Sequence, residues 1–442
     1  MQKILIANRG AIARRIIRAC DQLGKESIVV YSEADADAPY LAEATQAYPM
    51  AGVTPQDTYL NQQALLDIAA EAGADGVHPG YGFLAENAGF AQSVIDAGLT
   101  FIGPQPRWIG QMGDKVAARK LFAQHDFPLF EGSELIADVA AAAGIAETIG
   151  YPLIVKPTGG GGGMGMEVVA NAEGLTQAIH KAQSIAQSAF GSSGVYLERL
   201  ITRPRHIEFQ ILADGQGNAM HMYERECSVQ RRNQKLIEES PVPGMDPQLV
   251  LERAQLAAQV CAQLGYDNVG TLETLFDADG AMGFLEMNTR IQVEHGVTEA
   301  ITGCDLVQLQ IGLAEGASLP DQPARQGFAM EVRLYAEDAQ TLLPSTGKLA
   351  VFRPPRLHGV RIESGYAEGQ MVTPHYDAML AKLIAHGETR EMAIGRLVIA
   401  LRAFEVAGVK TNATLLVKIL QSEAFLAGNV DTGIVNRVMG GG

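Results

Sequence analysis

The stretch TLETLFDADGAMGFLEMNTRIQVEHGVTE, beginning at Thr271, sets acids, an amide and an arginine at alternate positions. TLETLF and MGFLEMN read as two strands joined by the turn DADG. If the second strand runs on through LEMNTRIQVE, side chains two apart share a face. That groups Glu286, Asn288, Arg290, Gln292 and Glu294 on one side. Glu273, from the first strand, can meet Glu286 across the hairpin. Two carboxylates and an amide oxygen suit a hard, oxygen-loving Mg²⁺ that bridges nucleotide phosphates. The bland alternative is an amphipathic strand with a wet polar face. Mixed charge sign, a facing acid and an unbroken run of five polar positions favour a metal and substrate site.

A second stretch, VKPTGGGGGMGMEVV (Val155 to Val169), places Lys156 before five consecutive glycines, and Met164 then interrupts the run. Bare backbone costs conformational entropy and brings no packing, so such a run is either a mobile surface hairpin or a closely approached backbone. The second reading is a phosphate cover, with amide N–H groups forming an anion nest and Lys156 adding charge. No glycine–lysine pair is followed by Ser or Thr, which excludes a Walker A loop. Gly160, Gly162 and Gly165 fit GxGxxG, but a strand (MEVVA) follows where a dinucleotide fingerprint needs a helix. A loop between two strands covers phosphates from above, so a nucleoside triphosphate is expected. A third cluster, ERECSVQRRNQKLIEE, packs Glu224, Arg225, Glu226, Arg231, Arg232, Lys235, Glu238 and Glu239 together. Its cations could hold an anion; taken alone it reads as a solvated charge network.

These groups need elements to hold them. At 442 residues the chain exceeds one core, so two or three domains are expected. The first hundred or so residues alternate in the βαβ manner, with KILIA, SIVVYS, DGVHPG and LTFIG as strands between helical segments. That is a doubly wound parallel sheet, whose ligands lie beyond the carboxyl ends of its strands. HPGYGFLAEN (His78 to Asn87) sits at such an end, with Tyr81 exposed. A second unit begins near MGDKVAARKLFAQ. Inside it, residues from about 130 to 201 read as a small sheet with helices, a lid. Long strands and one helix follow to about Ala317, and a β-rich unit with two helices closes the chain. The divisions expected are 1–113, 114–317 and 328–436.

Composition excludes much else. Net charge is −16, which argues against broad nucleic-acid binding. No apolar run approaches the roughly 18 residues of a membrane helix, so a soluble, cytoplasmic protein is expected. Four scattered cysteines form no CxxC pair and nine histidines no HExxH, so a zinc site is not expected. The arginine-rich start, KILIANRGAIARRIIRAC, reads as a buried strand, a turn and a helix rather than a transit peptide.

The lysine-plus-glycine loop, the Glu…Glu-x-Asn set and HPGYGFLAEN resemble the ATP-grasp enzymes. IANRG, QRRNQK and EMNTRIQVEHGVTE are similar to biotin carboxylase in particular, and the likeness runs through EVRLYAED and KTNATLL over essentially the whole chain. The resemblance implies a mixed α/β and α+β fold: a doubly wound N-terminal sheet, an ATP-grasp domain with a mobile lid, and a C-terminal β-rich domain. It implies ATP-dependent carboxylation of biotin by bicarbonate through a carboxyphosphate. Lys115, Lys156 and the Gly162–Gly163 backbone would meet the ATP phosphates. Glu198 and the Ile201 backbone would hold adenine, with His206 and Gln230 near the ribose, Leu275 under the ring and Asn233 beside the nucleotide. Glu273, Glu286 and Asn288 would carry Mg²⁺ or Mn²⁺. Lys235, Arg290, Gln292 and the Val293 amide would bind bicarbonate, Glu294 would deprotonate it, and Arg333, with Tyr81, would face biotin. The implied partners are a biotinylated carrier, a carboxyltransferase subunit and a second copy of the chain.

The chain departs from the family pattern at Met164 (Lys or Arg there), Asn233 (His), Ala11 (Glu) and Gly296 (Pro). An apolar residue in the glycine loop together with QRRNQK is similar to the carboxylase part of urea carboxylases. An acyl-CoA, urea or another small amide are all left open as final acceptor. No biotin-attachment sequence and no carboxyltransferase-sized region occur, so a subunit or a domain cut from a longer protein is expected. The alternatives in function are another ATP-grasp carboxylate–amine ligase and a non-catalytic ATP-binding subunit.

Overall fold

The structure, a computed structural model, describes residues 1–159 and 163–440. Its first unit is a five-stranded parallel sheet in the order Gln46–Pro49, Glu26–Tyr31, Lys3–Ile6, Gly76–His78, Thr100–Phe101. Buried aliphatic side chains cover both faces of this sheet. The helix Gly10–Gln22 buries Ile12, Ile16, Ala19 and their neighbours, the three-and-four spacing of one helical stripe. Strand order reverses beside Lys3–Ile6, so the loops after Ile6 and after His78 meet at the switch point. The Asn8 amide locks them by donating to the Pro79 and Tyr81 carbonyls, both at 2.8 Å. Gly80 is required here: its φ is +65°, and a β-carbon would come within 2.8 Å of that amide.

An eight-stranded antiparallel sheet forms the centre of the molecule. Its order is Met282–Asn288, Asp267–Phe276, Arg205–Asp214, Ala219–Arg231, Gln234–Ser240, Phe328–Tyr335, Met379–Gly387, Val360–Ser364. The ladder between Gln234–Ser240 and Phe328–Tyr335 carries the sheet from the middle of the chain into its last third. Behind it lies the helix Pro247–Leu264, started by the Asp246 cap and Pro247 and stopped by Gly265 at φ +68°. A second core packs the helix Arg390–Ala403 and the helix Ala413–Leu420 on the C-terminal strands.

The small unit read from residues 130–201 is a three-stranded sheet, Glu167–Val169, Leu153–Pro157, Val195–Arg199, with the helices Ala142–Ile149 and Leu175–Phe190. It has its own apolar core, including Leu153, Val155, Ile179 and Leu197. Gly162 lies outside the described residues.

Two expectations are corrected. The strand begun at Met282 stops at Asn288, and residues 289–294 form an irregular turn into the helix His295–Thr302. The shared polar face therefore does not extend by strand alternation to Arg290, Gln292 and Glu294. The cluster ERECSVQRRNQKLIEE is likewise no solvated network. Both of its strands lie inside the central sheet, so Glu224, Arg225, Glu226, Glu238 and Glu239 are buried.

Candidate active site

One cleft of about 990 Å³ opens between the N-terminal loops, the lid and the central sheet. Asn8, Tyr81, Lys156, Gly163, Lys235 and Arg333 all line it, so every unit contributes. The cleft falls at the carboxyl ends of the parallel strands, as a doubly wound sheet requires.

At the lid end, Lys156 on the strand Leu153–Pro157 pairs with Glu198 on the neighbouring strand Val195–Arg199. Glu198 also takes an ion pair from Arg119, whose other amine donates to the Phe130 carbonyl at 2.8 Å. Ile201, Leu275 and Gln230 line the same region. The hairpin between Ala219–Arg231 and Gln234–Ser240 turns on two left-handed residues, Arg232 at φ +48° and Asn233 at φ +64°. Asparagine tolerates that conformation well, a physical reason for the residue at this position. Gly163 rests on this tip: a β-carbon there would fall on the Asn233 amide. Met164 beside it is 56% exposed and faces the cleft.

The carboxylate hairpin pairs as its sequence requires, with Glu273 directly across from Glu286. Glu286 forms an ion pair with Lys115. Glu273 Oε1 accepts from Lys235 at 2.8 Å, Asn288 at 2.8 Å and Gln292 at 2.9 Å, while its other oxygen lies 2.9 Å from His206 Nε2. Gln230 Nε2 lies 3.4 Å from the other ring nitrogen of His206. Burial alone would raise the Glu273 carboxyl, yet Lys235 and His206 hold it well below the ordinary range. Glu273, Glu286 and Asn288 fit a hard divalent cation by chemistry, since all offer oxygen. The Asn288 oxygen now accepts from Arg290 Nη2 at 2.9 Å, so its amide must turn to face such an ion.

Lys235 is the hub. Its Nζ sits 2.6 Å from Glu208, 2.8 Å from Glu273, 2.6 Å from Glu294 and 3.5 Å from Gln292. Glu294 is completely buried, and its second oxygen accepts from Arg333 Nη2 at 3.0 Å. Burial opposes its ionisation, but Lys235, Arg333 and the buried Arg225 keep Glu294 far below a free carboxylate. A base that stays anionic at neutral pH, next to cations that steady developing charge, is what acyl-phosphate chemistry needs. Val293 lines the cleft, and its carbonyl accepts from Lys382.

Comparison with known proteins then places this geometry. Residues 1–109 match the family described as biotin carboxylase, N-terminal domain, and 331–437 match the biotin carboxylase C-terminal domain. Residues 114–322 match the ATP binding domain of the carbamoyl-phosphate synthase L chain. Biotin carboxylase 2 of Bacillus subtilis is 45% identical over 98% of this chain and 99% of its own. The chain belongs to the biotin carboxylase family. Among solved structures, a biotin carboxylase–ATP complex from Campylobacter jejuni superposes with a TM-score of 0.97 at 40% identity, covering 99% of this chain and 98% of that one. The biotin carboxylase domain dimer of Hydrogenobacter thermophilus 2-oxoglutarate carboxylase, in complex with MgADP, ADP and bicarbonate, gives 0.96 at 41% identity, with coverage of 99% and 98%.

Several groups that build this biotin carboxylase site escaped the sequence reading. Glu86 takes Arg290 Nε at 2.9 Å and the Thr289 N–H at 3.2 Å, tying the N-terminal unit to the turn at residues 289–294. Arg119 anchors Glu198, and Arg225, which the sequence placed only in a charged cluster, anchors Glu208 at 2.6 Å. A signal existed for Glu208. In RHIEFQILAD the polar His206, Glu208 and Gln210 alternate with Ile207, Phe209 and Ile211 on a strand that is buried from His206 to Ala213.

Proposed function

We propose that this chain carboxylates biotin on a carrier protein, using ATP and bicarbonate, as the first half-reaction of a biotin-dependent carboxylase. The observation that carries it is Glu294, a buried carboxylate held between Lys235 and Arg333 in a cleft also lined by Gly163, Met164, Lys115 and Lys156.

Lys115, Lys156 and the Gly162–Gly163 backbone receive the triphosphate. Glu198, Ile201, Leu275, His206, Gln230 and Asn233 receive the nucleoside end. Glu273, Glu286 and Asn288 would hold Mg²⁺ or Mn²⁺, which would supply charge neutralisation at the phosphates. Lys235, Arg290, Gln292 and Val293 orient bicarbonate so that its hydroxyl meets Glu294. Glu294 takes that proton, a bicarbonate oxygen bonds to the γ-phosphorus, and ADP leaves with the bridging electrons. The carboxyphosphate then breaks its carbon–oxygen bond to release phosphate. The released phosphate takes the ureido proton of biotin and the carboxyl carbon bonds to that nitrogen, while Arg333 steadies the anion and Tyr81 borders the ring. The work divides among units at 1–113, 114–317 (with a lid near 130–201) and 328–436. In this reading the chain is a cytoplasmic homodimer serving a biotinylated carrier and a carboxyltransferase subunit. Consistent with that location, no helix among the described residues is long and apolar enough to cross a membrane.

The test is ADP release by the purified protein with Mg-ATP, bicarbonate and free biotin. Stimulation by biotin and dependence on bicarbonate are expected. Turnover indifferent to bicarbonate would assign another ATP-grasp ligation, and ATP binding without turnover would assign a non-catalytic subunit.

A further inference from the structure

Behind Glu294 and Arg333, two carboxylates face each other. Glu238 and Glu331 are register partners on the adjacent strands Gln234–Ser240 and Phe328–Tyr335, and both are 0% exposed. Among the described residues, none of their four oxygens accepts a hydrogen bond. Directly opposed side chains in an antiparallel pair stand about 5 Å apart at their β-carbons. Two anions at such spacing, shut away from water, do not both stay ionised.

Cations border the pair. Arg333 Nη2 forms an ion pair with Glu238 Oε1 at 2.6 Å and also donates to Glu294 at 3.0 Å, so one nitrogen serves both carboxylates. Lys382, on the next strand, lies 3.4 Å from Glu331 and 3.2 Å from Glu363. From the helix side, a β-carbon on Gly296 would sit 3.2 Å from Glu331 Oε2 and 2.7 Å from Arg361 Nη2, so that guanidinium also approaches. Lys235 and the Cys227 thiol face Glu238 from the hairpin.

We propose that Glu238 and Glu331 share one proton, and that this buried pair positions Arg333. With the proton present, the guanidinium belongs to Glu294 and the carboxyl acceptor; once it is lost, Glu238 competes for the same nitrogen. The inference rests on the reading of Arg333 as the group that meets biotin. Burial pushes both carboxyls up from their ordinary range, Glu238 against the pull of Arg333 and Glu331 against that of Lys382. The titration belongs to the pair rather than to either residue. Acceptor-dependent turnover therefore falls on the alkaline side, where the pair loses its proton.

The experiment compares wild type, Glu238→Gln and Glu331→Gln between about pH 6 and about pH 9, a range spanning a carboxyl raised by burial. Three rates or signals are read: biotin-dependent ADP release, bicarbonate-dependent ATP cleavage without biotin, and the infrared band of a protonated carboxyl. In wild type the biotin-dependent rate should fall several-fold on the alkaline limb as the band disappears. Either variant should lack that band and that limb, while cleavage without biotin keeps its profile. Glu331→Gln, which does not touch Arg333, provides the test if Glu238→Gln fails to fold. A protonated-carboxyl band unchanged in the variants, or an alkaline limb that persists in them, overturns the inference, as does an equal loss of both rates. A wild type without biotin-dependent turnover would instead overturn the functional reading.

Discussion

Replacing Glu294 by Gln removes one negative charge and almost no volume from a fully buried position. The carboxylate accepts from Lys235 at 2.6 Å and from Arg333 at 3.0 Å. Neither cation is orphaned by the change, because Lys235 keeps Glu208 and Glu273 and Arg333 keeps Glu238 beside it. The amide keeps one accepting oxygen but its NH2 cannot accept, so one charge-assisted bond worth about 1.5–3 kcal/mol is lost and the other weakens to about 1 kcal/mol, a cost of about 2–5 kcal/mol of stability. The fold should survive. A positioned general base contributes about 10²–10⁴-fold, so bicarbonate-dependent turnover should fall by that factor, or about 3–5 kcal/mol of barrier. The pH dependence has a definite sign. The folded carboxyl is held below its unfolded value, so its stabilisation is complete above the unfolded pKa and is lost only as pH falls through the folded one. The stability difference between wild type and variant is therefore flat from about pH 5 to about pH 8 and shrinks only below about pH 4. The assay pairs steady-state ADP release with calorimetric titration of ATP and a melting curve at each pH. A variant within about tenfold of wild-type turnover, with normal ATP affinity, would refute Glu294 as the base.

Glu286→Gln should cripple turnover while keeping the fold. Its carboxylate is proposed to help hold the cation, and in the structure it pairs with Lys115; near-normal rates would leave the hairpin as an amphipathic strand. Met164→Lys places a charge on an exposed side chain facing the cleft. Allowing for solvent screening, it should tighten ATP binding by about two- to fivefold, and unchanged affinity in a titration at matched salt would show that the methionine is there for packing and does not meet phosphate. His78 is held neutral, pushed down to about 3 by burial and by Arg15 nearby. Below about pH 6.5 the unfolded chain binds a proton that the folded one refuses, so stability falls with pH. His78→Asn, which can still accept from the Gly80 N–H, should flatten the decline in melting temperature between about pH 7 and about pH 5; an equally steep decline would assign it to other groups.

The parts of the site that local chemistry dictates were legible in the sequence. A Gly-rich turn, a hairpin with acids opposite each other and a strand-to-loop exit at a topological switch each follow from spacing within about twenty residues. Beyond Asn288 the same argument failed, because period two holds only while the chain remains a strand. Arg290, Gln292 and Glu294 reach the site through a turn, and what aims them is tertiary: Glu86 for Arg290, Glu273 for Gln292, and Lys235 with Arg333 for Glu294. The charged cluster around Lys235 read as surface because alternation shows which residues share a face, not whether that face meets water. Here the sheet continues on both sides of the hairpin, so Glu238 and Arg225 lose solvent altogether.

The central claim is that bicarbonate is phosphorylated before its carbon reaches biotin. Turnover with ¹⁸O-labelled bicarbonate, Mg-ATP and a biotinylated carrier tests it, with the released phosphate read by mass spectrometry. An oxygen of bicarbonate that bonds to the γ-phosphorus must remain there when the carbon–oxygen bond breaks. The account predicts one ¹⁸O atom in each phosphate released, and phosphate carrying no label while the carrier is carboxylated would contradict it.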